Sequence, residues 1–134
     1  MAKRKKKKKS KLWKSIKKVD YIRESDKKVI SMDSSWEVEC AKRLDELGVR
    51  WDRDPEMKLD YIDRRAQTRK YIPDFYLPDY DMYLEVKGYW TTPARWKMRS
   101  VMDRNPGKIR LLESLEEIAN LELPILATTS SVRL

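Results

Sequence analysis

Histidine is absent from the 134 residues, and cysteine occurs once, as Cys40. The first absence excludes an imidazole general base, a histidine-activated nucleophile and a histidine metal site. The second excludes an internal disulfide and a multi-cysteine zinc site. No apolar run approaches the ~18 residues of a membrane span, and no apolar stretch follows the lysine-rich start as it does in a secretory signal. The expectation is one small cytoplasmic domain, with no membrane partner. Any chemistry must run on carboxylates, lysine, tyrosine or serine.

Acidic residues are missing from the first 18 positions, which hold eleven of the 31 lysines and arginines. Residues 19–134 therefore carry 20 bases against 22 acids, a net charge of −2. The positive charge belongs to an arm. Its like charges repel and bury no apolar area, so residues 1–18 are expected to be disordered alone and to neutralise phosphates without choosing sequence. Lys3, Arg4, Lys5, Lys6, Lys7, Lys8, Lys9, Lys11 and Lys14 are the candidate DNA contacts. A solubility or import tract is the plainer alternative.

Residues 19–33 read as a connector and residues 34–134 as the folded domain. A helix is expected from Ser35 to Leu47, opened by the capping box of Ser34 and Glu37 and ended by Gly48. Strands follow around "VRWDRD" and "MKLDYI", then a polar connection "DRRAQTRK", then two strands within "YIPDFYLPDYDMYLEVKGYW". A helix from Pro93 to Asp103, a strand "KIRLL", a short helix "SLEEIANL" and a last strand around "PILAT" complete the order. Such a mixture predicts an α/β (α+β) fold, a central mixed β-sheet flanked by helices.

Glu85 and Lys87 interrupt an otherwise apolar strand. Alternation turns Met82, Leu84 and Val86 to one face and Tyr83, Glu85 and Lys87 to the other. One strand earlier, Asp74 follows Pro73. Two carboxylates from neighbouring strands with a nearby lysine suit hydrolysis of a phosphodiester assisted by Mg²⁺, which needs only one or two protein carboxylates. An exposed strand face with a weak ion pair is the plainer alternative. On the first helix, about 100° per residue places Glu37 between Leu44 and Ala41 on the core side. A carboxylate there needs a cation or a capping role.

Pro73-Asp74, ten intervening residues, then Glu85-Val86-Lys87 form the pattern P-D-x(n)-(D/E)-x-K, and the chain resembles the restriction-endonuclease-like superfamily of metal-dependent nucleases. Together, "SSWEVECAKRLDELGVRW" and "YIPDFYLPDYDMYLEVKGYW" resemble the phage endonuclease I family of Holliday junction resolvases. The resemblance runs from Ser34 to Trp90 and extends toward Arg104. It implies a restriction-endonuclease-like fold and Mg²⁺- or Mn²⁺-dependent cleavage of four-way junctions or other branched DNA. It also implies a homodimer, with segment exchange between subunits in some members. The implied catalytic residues are Glu37, Asp74, Glu85 and Lys87, and the implied metal ligands are Asp74, Glu85, the Val86 carbonyl and Glu37. Two features depart from the family: Asp33 stands where a base is expected, and the lysine arm is not part of its pattern. Alternatives are a homing, repair or transposase-associated nuclease on duplex DNA, or a non-catalytic nucleic-acid binder. The helix after Lys87 offers Arg95, Lys97 and Arg99 as further DNA contacts, with Ala94, Met98, Val101 and Met102 as its buried stripe.

Overall fold

The computed structural model describes residues 18–53 and 56–124. Of the basic arm only Lys18 lies within them, in an exposed ion pair with Asp33 at 3.5 Å. The arm's other candidate contacts and most of the expected last strand lie outside the described residues.

Residues 19–33 form structure where a connector was expected. Strands β1 (Val19–Ile22) and β2 (Val29–Met32) pair antiparallel, Val19 opposite Met32, around a turn in which Lys27 adopts φ 60°. Burial explains the hairpin: Met32 is fully buried, and Tyr21 packs at 6.2 Å from Trp51. Helix α1 (Ser35–Glu46) follows, with Ser34 Oγ accepting from the Glu37 amide at 3.2 Å. It buries Glu37, Cys40, Ala41 and Leu44, while Leu47 is the C-cap and partly exposed.

The strand expected around residues 49–54 shrinks to one bridge, with Asp52 and Tyr76 exchanging 2.9 Å backbone hydrogen bonds. Strand β3 (Leu59–Ile62) pairs antiparallel with β4 (Thr68–Tyr71), so Thr68, Arg69 and Lys70 of the expected polar connection are strand. Thr68, Arg69 and Lys70 stay exposed because only Tyr71 of β4 turns inward. This hairpin sits on helix α2 (Thr92–Arg104). Ser100 Oγ donates to the Ile62 carbonyl at 2.7 Å and accepts its amide at 2.9 Å, and Asn105 Nδ2 donates to the Asp60 carbonyl at 2.9 Å.

The third sheet carries the charged strand. Strand β5 (Phe75–Leu77) runs antiparallel to β6 (Met82–Val86), and β7 (Ile109–Leu112) runs parallel to β6 on its other edge. Helix α2 connects β6 to β7, since parallel neighbours require a crossover. Helix α3 (Leu115–Ala119) begins with a second cap, Ser114 Oγ accepting from the Glu117 amide at 3.0 Å.

Both faces of this mixed sheet are covered. Phe75, Leu77, Leu84 and Leu112 pack with Cys40, Ala41 and Leu44 of α1 and Ile118 of α3. On the other face Ile109 packs with Met98 and Val101 of α2 and with Leu59 and Tyr71 of the hairpin, flanked by Tyr83 and Leu111. The fold is mixed α/β, with three small sheets and three helices among the described residues. None of those helices is long and apolar enough to cross a membrane.

Candidate active site on the central strand

Glu85 lies on β6, the middle strand, paired along both edges and therefore held rigidly. Its face is no solvated surface: Glu85 is 6% exposed, because the β3–β4 hairpin and α2 cover that side. The plainer alternative of an open strand face with an ion pair is thereby set aside.

Phe75 stands opposite Leu84 and Tyr76 opposite Tyr83, so extending the register by one sets Asp74 across from Glu85. Cross-strand partners share a face. The rings of Tyr76 and Tyr83 accordingly stack at 4.8 Å, and Asp74 and Glu85 lie beyond them on the same side. Asp74 Oδ2 accepts from the Val86 amide at 2.8 Å, where the β5 ladder has ended. Glu85 Oε1 accepts from the Asp74 amide at 3.3 Å. Lys87 Nζ stands 3.9 Å from Glu85 Oε2 with its side chain 30% exposed, so this site opens to solvent at the ammonium. The structure therefore brings Asp74, Glu85, Val86 and Lys87 together.

Two adjacent like charges, Glu85 buried and Asp74 half-buried, resist ionisation together. Burial, then the charges of Glu85 and Glu37, push the Asp74 carboxyl up to about 8, against the opposing Val86 hydrogen bond and Arg53. Burial likewise raises Glu85, with Tyr71 and Lys87 acting in the other direction. Burial and the Glu85 charge keep the Tyr71 phenol protonated. Its hydroxyl is enclosed beside Glu85 without a hydrogen-bond partner of ordinary geometry.

Glu37 is placed at the edge of this cluster, near enough for its charge to act on Asp74 and Glu85. It is 7% exposed, as its helical position required, but its cation is a side chain. Arg53 Nη1 donates to Glu37 Oε1 at 2.6 Å and to the Asp74 carbonyl at 3.3 Å. Glu37 Oε1 also accepts from the Asp33 amide at 3.1 Å, one residue before Ser34, which completes a shifted capping arrangement. Asp33, standing where a base was expected, lies 3.5 Å from Arg53 Nη2.

Among the described residues no three carboxylate, histidine or cysteine side chains converge closely enough to enclose a metal ion. Asp74 and Glu85 alone are adjacent hard oxygen donors, and their mutual repulsion is what a divalent cation relieves. This donor set fits Mg²⁺ or Mn²⁺; Glu37 is engaged by Arg53.

Helix α2 begins one residue earlier than expected, at Thr92, with Thr91 as its cap, Oγ1 accepting from the Ala94 amide at 3.1 Å. Its buried residues are Met98 and Val101; Met102 is 36% exposed, since the hairpin covers the helix on its Ser100 side. Arg95 lies over the Trp90 ring at 5.5 Å, and Lys87 Nζ lies over the same ring at 5.6 Å. Trp90 is fixed by a 2.7 Å hydrogen bond to Glu113. Lys97 stands 5.3 Å from the Tyr71 ring centroid. Arg95 and Lys97 are thus each one aromatic ring from the carboxylate site, whereas Arg99 lines the groove beyond the hairpin.

Sequence reasoning missed Arg53, Tyr71, Trp90 and Gly88. A β-carbon on Gly88 would stand 2.8 Å from the Trp36 ring, so only glycine lets that indole pack against the chain just after Lys87. Tyr71 had a signal, as the one apolar residue closing the polar run "TRKY" before Pro73. Arg53 had none, because its partners are remote in sequence. Comparison of the chain with protein-family models, curated proteins and solved structures finds no match.

Proposed function

We propose that the chain is a Mg²⁺- or Mn²⁺-dependent DNA endonuclease of the restriction-endonuclease-like superfamily. It resolves branched DNA, four-way junctions above all, by paired phosphodiester hydrolysis. The observation that carries this reading is the Asp74–Glu85 pair, two carboxylates on neighbouring strands with Lys87 at their solvent edge. A structural ion pair has no need of a second acid beside Glu85, whereas two adjacent carboxylates suit a divalent cation that assists phosphodiester hydrolysis.

Asp74 and Glu85 would hold the divalent cation, which when bound supplies a water of lowered pKa and neutralises charge on the phosphate. The Val86 amide fixes the Asp74 carboxylate, and the Asp74 amide fixes Glu85, so both oxygens are oriented before substrate arrives. Lys87 presents its ammonium beside Glu85, where it orients the attacking water or stabilises charge on the phosphate in the transition state. Water adds its oxygen to phosphorus as the bond to the sugar oxygen breaks. Arg53 pairs with Glu37 at 2.6 Å, so no unpaired charge stands beside Asp74.

Each chain carries one such site, so paired nicks call for a homodimer. The body's net charge of −2 gives little general attraction to DNA, and the basic arm supplies it. The test is cleavage of labelled four-way junction, linear duplex and supercoiled DNA, each with Mg²⁺ and with chelator. Metal-dependent nicking concentrated at the branch point supports the proposal. Equal cleavage of linear duplex points to the duplex-nuclease alternative, and binding without nicking to a non-catalytic protein.

A further inference from the structure

A cavity of about 670 Å³ opens between the β3–β4 hairpin and α2, away from the carboxylate pair. Arg64, Arg65, Arg69, Lys97 and Arg99 line it against two acids, Asp63 and Asp103, and Asp63 is already paired with Arg69 at 2.7 Å. Trp96 forms part of its wall and is 50% exposed, so its indole is accessible from the groove. The Arg64 guanidinium lies 5.4 Å from the Trp96 ring centroid, so the indole already accepts a planar cation on its face. Lys97 is the link between the groove and the surroundings of the site described above. Lys97 lines it and stands over Tyr71, whose hydroxyl is enclosed beside Glu85.

We infer that this groove holds an unpaired nucleotide of the DNA strand, its base stacked on Trp96 and its phosphates on Arg64, Arg65 and Arg99. A basic groove with an exposed aromatic is how single strands are bound without sequence choice, since every base has a π-face. As the base arrives, the Arg64 guanidinium passes from the indole to the phosphate. The link to cleavage rests on the nuclease reading of the carboxylate pair, because unpaired nucleotides beside a branch would be led past Lys97 toward Glu85. Binding to the groove itself does not depend on that reading.

The experiment measures anisotropy of a labelled oligothymidylate and of a duplex of equal length, in chelator, with the full chain. Trp96→Ala and the double variant Arg64→Ala/Arg65→Ala are compared with the parent, after thermal melts show that each folds. Trp96→Ala should weaken single-strand binding about tenfold and duplex binding less than twofold, without changing the salt slope. The double variant should lower the salt slope by about 1 to 2. Unchanged single-strand affinity in Trp96→Ala, or an equal loss on duplex, overturns the inference. Should Trp96 prove necessary while the parent never cleaves with Mg²⁺, the groove stands and the nuclease reading fails. Should the parent cleave while Trp96→Ala binds and cleaves as the parent does, the groove inference alone fails.

Discussion

Replacing Arg53 by methionine keeps much of the side chain's apolar contact and removes its charge. Its partner Glu37 keeps a side chain that is 9% exposed, and the Arg53 side chain is itself 16% exposed. Breaking a buried pair by removing one member costs about 3–5 kcal/mol, mostly because the remaining charge is left uncompensated. Here that charge sits beside Asp74 and Glu85, and the Asp74 carbonyl also loses its 3.3 Å donor. Some relief is available, since Glu37 keeps the Asp33 amide. The expected loss is therefore near the lower bound, about 3 kcal/mol, or a fall in Tm of the order of 15 °C for a domain this small. Glu37→Gln together with Arg53→Met removes both charges and should recover most of that loss. Thermal and urea melts of the parent, both single variants and the double variant give the coupling energy directly. A loss below about 1 kcal/mol in Arg53→Met, or a double variant no better than the sum of the singles, would refute the reasoning.

Four further outcomes are expected. Asp74 has a raised folded-state pKa of about 8, so its favourable contribution is complete below the ordinary carboxylate range and is lost as pH rises toward 8. Asp74→Asn should thus stabilise the metal-free protein more at pH 8 than at pH 5, by at least about 1 kcal/mol in urea melts; an equal effect at both values contradicts the burial argument. Gly88→Ala should cost about 1–3 kcal/mol, because the Trp36 ring must move; an unchanged Tm would show that it moves freely. Ser100→Ala removes both side-chain bonds to Ile62 and should cost about 1–2 kcal/mol, with faster amide exchange in the β3–β4 hairpin than in β6. Deleting residues 1–18 should weaken junction binding and flatten its salt dependence while leaving single-turnover cleavage intact at saturating DNA; an unchanged salt slope would remove the arm from the binding account.

Helices were legible wherever caps and periodicity agreed: Ser34 and Ser114 each accept the amide that the sequence assigned to them. The site was legible along β6 because strand alternation is strict, and Asp74 and Glu85 meet as spacing and pairing require. What escaped were the β1–β2 hairpin and strand β4. Strand β1 carries Asp20 between apolar residues and β4 is three-quarters exposed, so neither has the apolar run that marks a strand, and tertiary packing decides both. Glu37 was read correctly as buried, but its partner Arg53 is 16 residues away and no local pattern points to it. Nor does sequence disclose that Trp36 needs the space beside Gly88, since a close approach is a property of the fold.

The most direct test of the central claim is single-turnover cleavage of a labelled four-way junction with Mg²⁺ by the parent, Asp74→Asn, Glu85→Gln and Lys87→Met, with junction affinity measured in chelator on the same samples. The account predicts branch-point nicks by the parent and at least a hundredfold slower cleavage by each variant. Binding by the two carboxylate variants should be preserved or tighter. Cleavage at the parent rate by Asp74→Asn or Glu85→Gln would contradict it.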